Sequence, residues 1–152
     1  MDIISRFRSG YESNSPEETV EAGWFFGSIM AENSMVALAG DFGAGKTTFV
    51  RGVAKFFGIM DSITSPTFNI FLLYSGRINL LHMDAYRLNH PREIEAIALE
   101  DFLIPPFGLL VEWPDNLGLF HWDYRLGFSI NSMGGRIIRL EIDETGTSNT
   151  IG

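Results

Sequence analysis

The sequence contains no cysteine. That excludes disulfides, cysteine-ligated zinc and thiol catalysis. Lysine is scarce too: Lys46 and Lys55 are the only two, and the 152-residue chain carries a formal net charge of −8. A protein that grips a nucleic-acid backbone unaided shows a basic face, so tight independent binding of RNA or DNA is not expected. The same charge disfavours anionic membrane surfaces. There is no run of about 18 apolar residues, so no membrane-crossing helix is expected. Met1-Asp2-Ile3-Ile4-Ser5-Arg6 opens with an acid and polar residues and does not read as a signal peptide. A cytoplasmic protein is the expectation. What the chain does have is core material: 45% of its residues are hydrophobic and 13% aromatic, in a length suited to one domain.

One stretch organises the rest. Gly40-Asp41-Phe42-Gly43-Ala44-Gly45-Lys46-Thr47 fits G-x-x-x-x-G-K-[ST] at every fixed position, the pattern of a phosphate-binding loop. Its context agrees. Met35 to Ala39 is an apolar run suited to a buried strand, and Phe49, Val50, Val53, Phe56 and Phe57 recur at helical spacing before Gly58. Gly43 and Gly45 let the backbone curl so that successive N–H groups, including those around Asp41 and Ala44, face one anion. The helix N-terminus adds positive potential there. Lys46 is placed to reach the β- and γ-phosphates, the Thr47 hydroxyl to hold Mg²⁺, and Thr48 to reach the α-phosphate.

Upstream, Ile3, Ile4 and Phe7 suggest a short edge strand. Ser15-Pro16-Glu17-Glu18 reads as a helix start, with Ser15 as N-cap, Pro16 first and Glu18 closing a capping box. Val20, Trp24, Phe25 and Ile29 mark that helix's apolar side. Residues near Ser15 are candidates to touch an adenine, although capping already explains the serine.

Downstream, Thr64-Ser65-Pro66-Thr67-Phe68 sets three hydroxyls around a proline. It is either a loop facing the γ-phosphate, with Thr67 a catalytic candidate, or an ordinary turn. Residues 69–74 and 77–83 flank Ser75-Gly76 as a hairpin. Its second strand ends in Asp84, where a carboxylate faces the nucleotide crevice of such sheets. Asp84 can hold the metal through water or orient the attacking water. His82, two residues earlier, reads as a packing or hydrogen-bonding residue, and Arg87 as a phosphate contact or an ion-pair partner. A helix is expected from Pro91, with Ile94, Ile97, Ala98 and Phe102 on one face, stopped by Pro105-Pro106. Residues 107–111 then form an apolar strand running into Glu112, an acid placed to serve Mg²⁺ or its water shell. Trp113 is either a contact residue or core. Tyr124 to Ile130 and Arg136 to Ile142 alternate around a glycine turn, which predicts a hairpin. Arg136 can reach the nucleotide or simply face solvent. Residues 143–152 read as a frayed tail.

These observations predict one α/β domain over 1–152, with its core at about 15–142. The fold is a P-loop NTPase-like three-layer arrangement of a mixed β-sheet with added antiparallel hairpins.

Four motifs stand in order: the P-loop continued through Thr48-Phe49-Val50-Arg51-Gly52; Thr64-Ser65-Pro66-Thr67-Phe68; His82-Met83-Asp84-Ala85-Tyr86-Arg87-Leu88; and Val111-Glu112-Trp113-Pro114. Together they resemble the bacterial TsaE (YjeE) family of small P-loop ATPases. The resemblance implies ATP/ADP and Mg²⁺ as ligands. It also implies a role in making N6-threonylcarbamoyladenosine at position 37 of tRNA, with TsaB and TsaD as partners and tRNA met only through them. Carried over by position, Lys46 and Thr47 bind phosphate and Mg²⁺, Glu112 is a metal-side carboxylate, the 64–67 loop is a switch-like segment, and Asp84 is the activity-critical acid. A small-molecule P-loop kinase is the alternative, but the arginines are scattered rather than gathered for phosphoryl transfer. A GTPase is disfavoured because neither lysine follows an asparagine, as guanine reading by N-K-x-D needs.

Overall fold

The computed structural model describes residues 1–66, 70–88, 93, 97–117 and 121–142. Its centre is one seven-stranded mixed sheet in the order β1-β7-β6-β2-β5-β4-β3. The strands are β1 (Tyr11–Ser13), β2 (Ser34–Gly40), β3 (Phe71–Ser75), β4 (Asn79–Asp84), β5 (Phe107–Glu112), β6 (Tyr124–Ile130) and β7 (Arg136–Ile142). β6, β2, β5 and β4 run parallel, while β3 pairs antiparallel with β4, β7 with β6 and β1 with β7. Both expected hairpins are therefore present, one on each side of the parallel centre. β5 is buried along its whole length, as a strand covered on both faces must be.

Alternation along the strands sorts side chains into two cores. Val36, Leu38, Leu80, Leu110, Leu126 and Leu140 face helices α2 (Pro16–Ile29) and α3 (Lys46–Phe56). Leu81, Met83, Leu109 and Val111 face the other way, toward Leu99 and Leu117. Leu99 belongs to a 3-10 turn (Leu99–Phe102). Most of the helix expected from Pro91, namely residues 91, 92 and 94–96, lies outside the described residues, as do Thr67 and the 143–152 tail.

The N-terminus differs from expectation. Residues Ile3–Ser9 form a helix, α1, rather than an edge strand. Asp2 caps it by accepting from the Ser5 N–H at 2.8 Å, and Phe7 is fully buried against Tyr11, Phe26 and Phe49. The edge strand follows it as β1. The apolar spacing of Ile3, Ile4 and Phe7 is helical as well as strand-like, and the cap decides.

The buried side of α2 differs in part. Phe25 and Ile29 pack part-buried against the core as expected, but Ala22, Gly23, Phe26 and Gly27 are buried and Trp24 is 40% exposed. The reason is backbone approach. A Cβ on Gly23 would lie 2.0 Å from the Phe49 carbonyl oxygen, and one on Gly52 would lie 1.9 Å from the Val20 carbonyl oxygen. Glycine lets α2 and α3 come together without side chains between them. The Ser15 cap is as expected: its side chain accepts from the Glu18 N–H at 3.1 Å. Glu18 reaches back to the Asn14 N–H instead of that of Ser15.

The close contact has a measurable consequence. Gly52→Ala is expected to lower unfolding stability by about 2 kcal/mol, the overpacking range, read from urea midpoints. Ser28→Ala, at an exposed position of α2, is expected to stay within about 0.5 kcal/mol. Equal midpoints for the two variants would contradict the packing.

Candidate functional site

The C-terminal ends of the parallel strands meet at one place. Leu38 of β2 and Asp84 of β4 both pair with Glu112 of β5, so the P-loop leaves β2 beside two carboxylates. Gly43 and Gly45 adopt φ of +76° and +96°, left-handed values that favour glycine, and Gly45 is the N-cap of α3. A Cβ on Gly43 would meet nothing within 4 Å, so that glycine serves the turn rather than a tight fit.

The loop borders a cavity of about 470 Å³. Gly43, Gly45, Lys46, Thr47, Thr48, Asp84, Glu112, Ser15 and Arg136 all line it, with Ser65 and Trp113. Asp41 and Ala44 do not. Asp41 is exposed, Ala44 is buried in the core, and the Ala44 N–H donates to the Asp41 carbonyl at 3.3 Å. Thr67 lies outside the described residues, although Ser65 brings the neighbouring loop to the cavity wall. Arg136 does not simply face solvent. Its Nε donates to the Gly43 carbonyl at 3.0 Å and Nη1 to the Gly134 carbonyl, which ties the β6–β7 turn to the P-loop.

Inside, the charges are tightly coupled. The Thr47 hydroxyl donates to Glu112 Oε2 at 2.9 Å. His82 Nε2 lies 2.6 Å from the same oxygen. Burial opposes ionisation of Glu112, but the His82 hydrogen bond and charge, the Thr47 hydroxyl and the Lys46 ammonium outweigh it. The carboxyl is held below its ordinary value of 4.5. The Lys46 ammonium is itself lowered by burial, against the pull of Glu112, Asp84 and Asp41. It donates to the Gly40 carbonyl and lies 4.1 Å from the centre of the Trp113 ring.

Two features escaped the sequence: the partner of His82, which was read only as a packing or hydrogen-bonding residue, and an aromatic cluster. His82 is fully buried and touches the key carboxylate; its place two residues before Asp84, on the same strand face, was the available signal. Phe42, Tyr86 and Trp113 form a three-ring cluster with centroids 4.8–5.0 Å apart, at the cavity rim. Trp113 takes φ of +58°, a strained value for a bulky residue costing about 1–3 kcal/mol. The segment after it is anchored: Arg125 meets both Asp115 oxygens at 3.1 and 3.3 Å, and Asn116 donates to the Ala85 carbonyl at 2.9 Å. Asp115 therefore fastens the loop after Glu112 to β6, and Asn116 fastens it to the loop after Asp84.

Thr47, Glu112 and Asp84 are hard oxygen donors, suited to Mg²⁺ held by few protein ligands and by substrate phosphates. Among the described residues no group of three or more His, Cys, Asp or Glu forms a closed metal cage.

The sequence profile of the family "Threonylcarbamoyl adenosine biosynthesis protein TsaE" matches residues 13–138. The chain belongs to the TsaE family. A Treponema pallidum (strain Nichols) protein named tRNA threonylcarbamoyladenosine biosynthesis protein TsaE is 35% identical over 118 residues, covering 78% of this chain and 87% of that one. The protein of the same name from Nostoc sp. (strain PCC 7120 / SAG 25.82 / UTEX 2576) is 39% identical over 106 residues, covering 66% of this chain and 65% of its own length. The crystal structure of Bacillus subtilis YdiB superposes with a TM-score of 0.66 at 27% identity, covering 90% of this chain and 87% of that one. The fold is thus P-loop NTPase-like, and the family's role is in tRNA threonylcarbamoyladenosine biosynthesis. The TsaE motifs fall at the cavity: P-loop, Ser65 loop, Asp84 and Glu112-Trp113. Among the described residues no helix is long and apolar enough to cross a membrane.

The lowered Glu112 carboxyl fixes the sign of an acid effect. A folded-state value below the unfolded one contributes stability above about 4.5 that is lost as pH falls through the folded value. Glu112→Gln keeps an acceptor but cannot titrate. Urea midpoints taken from neutral pH to about pH 3 should fall more steeply in the wild type than in this variant. Parallel curves would contradict the coupling.

Proposed function

We propose that this TsaE-family chain is a cytoplasmic, Mg²⁺-dependent ATPase subunit. It would support formation of N6-threonylcarbamoyladenosine at position 37 of tRNA together with TsaB and TsaD. One observation carries the reading: the P-loop, Lys46, Thr47, Asp84 and Glu112 converge on one cavity in a chain whose family is named for that modification.

The residues divide the work. Backbone N–H groups at the start of α3 and the Lys46 ammonium receive phosphate charge. Thr47 and Glu112 are the protein's oxygen ligands for Mg²⁺ or its water shell. Bound there, Mg²⁺ neutralises charge on the phosphate oxygens. Asp84, paired with Glu112 across the sheet, holds or orients water. Ser15 and Asn14 line the same cavity, where they would meet the nucleoside.

Hydrolysis by the chain alone should be slow. The guanidinium that lines the cavity, that of Arg136, is engaged by two backbone carbonyls, and a free arginine at the transferring phosphate contributes about 10³–10⁵ in rate. A partner-supplied contact would then set the working rate. The net charge of −8 fits a subunit that leaves tRNA to its partners.

The test is phosphate release from ATP by the purified chain, alone and with TsaB and TsaD. Turnover well below about 10 s⁻¹ alone and marked stimulation by the pair are expected. Asp84→Asn should cut the stimulated rate about a hundredfold, within the range for loss of a positioned acid–base group. A fast monomer, indifference to TsaB and TsaD, or a phosphorylated small-molecule product would each overturn the reading, the last in favour of a kinase.

A further inference from the structure

His82 is a fully buried polar side chain in a strand of leucines. Its neighbours Leu80, Leu81 and Met83 are equally buried, and any of those side chains would fill the space without a polar atom. Nε2 lies 2.6 Å from Glu112 Oε2. Nδ1 is buried with no hydrogen-bond partner among the described residues. An unsatisfied buried polar atom costs about 1–3 kcal/mol, so packing alone is a poor reason for a histidine here.

The geometry gives a better one. Against a carboxylate, Nε2 must carry the hydrogen and donate it. The oxygen that receives it also receives the Thr47 hydroxyl at 2.9 Å. Both donors therefore end on Oε2. That pins the carboxylate's rotation about its last bond and leaves Oε1 for a metal or its water. His82 reaches Glu112 from β4, and Thr47 reaches it from the first turn of α3, so the carboxylate is held from two elements. If Thr47 turns toward a bound cation, the His82 bond alone still holds Glu112 in place. Partners that orient a metal-side ligand are worth about 10–100-fold in metal affinity or activity.

We propose that His82 is a positioning residue that fixes Glu112 for the magnesium ion of a bound nucleotide. This rests on the nucleotide reading above and adds to it the residue that sets the metal-side carboxylate.

Gln, Asn and Leu replacements separate this role from packing. A glutamine amide nitrogen reaches about as far as histidine Nε2, and an asparagine one only about as far as Nδ1. The readout is equilibrium binding of a fluorescent ATP analogue with Mg²⁺ and with EDTA. In the wild type, Mg²⁺ should tighten binding. In H82L and H82N that tightening should shrink by about tenfold or more, while affinity in EDTA stays within about twofold. In H82Q it should be largely restored. Thermal melts identify any variant that fails to fold, and the H82Q and H82N pair decides the matter if H82L does. Equal losses with and without Mg²⁺, equal behaviour of H82Q and H82N, or no loss in any variant would overturn the role of His82 while leaving a magnesium-dependent wild type intact. A wild type whose binding ignores Mg²⁺ would overturn both this inference and the nucleotide reading beneath it.

Discussion

The structure depends on one buried carboxylate. Glu112 is 5% exposed and stays ionised because three side chains from two elements supply it with donors or charge: His82 from β4, and Thr47 and Lys46 from α3. Removing one partner from such a group leaves an uncompensated buried charge, which costs far more than a surface pair contributes. The carboxylate therefore locks the P-loop helix to the ends of β4 and β5. The fold and the candidate site share this lock: the contacts that keep α3 in register with the sheet also place the Thr47 hydroxyl beside the Glu112 carboxylate.

Around the lock, close backbone packing does the rest. Gly23 and Gly52 bring α2 onto α3, so Ser15 and Pro16, at the start of α2, reach the cavity that α3 opens. Arg136, at the start of β7, fastens the Gly43 carbonyl. Asn116 and Arg125 secure the loop carrying the strained Trp113. The cavity rim is thus assembled from distant parts of the chain, each held by a backbone carbonyl or a paired charge rather than by the loop's own preference. Strain of this kind persists where surrounding contacts over-determine it.

Much of this was legible in the residues. The P-loop follows from fixed glycines, the first hairpin from strand-prone runs around Ser75-Gly76, and the second from alternation around a glycine turn, all local signals. Asp84 and Glu112 were legible as acids at the ends of apolar strands, and the register that sets them side by side confirms that placement. The misses share a cause. Helix α1 turned on an Asp2 cap in a stretch whose spacing allowed either structure. The buried face of α2 was read only in part, because large side chains such as Trp24 were weighted over Gly23 and Gly27, whose role is visible only once α3 is beside them. His82 read as a packing or hydrogen-bonding residue, and its partner was not legible because Glu112 lies 30 residues away. Phe42, Tyr86 and Trp113 come from three separate loops, and nothing in their spacing announces a cluster. Local chemistry reads from sequence; contacts made by long-range register do not.

We propose that one Mg²⁺-nucleotide occupies the cavity walled by Lys46, Thr47 and Glu112. The measurement to make is isothermal titration of the purified chain with ATP. One site per chain is expected, with affinity that falls when Mg²⁺ is chelated and binding that vanishes in Lys46→Ala. No heat of binding in the wild type, or affinity unchanged by Lys46→Ala, would contradict it.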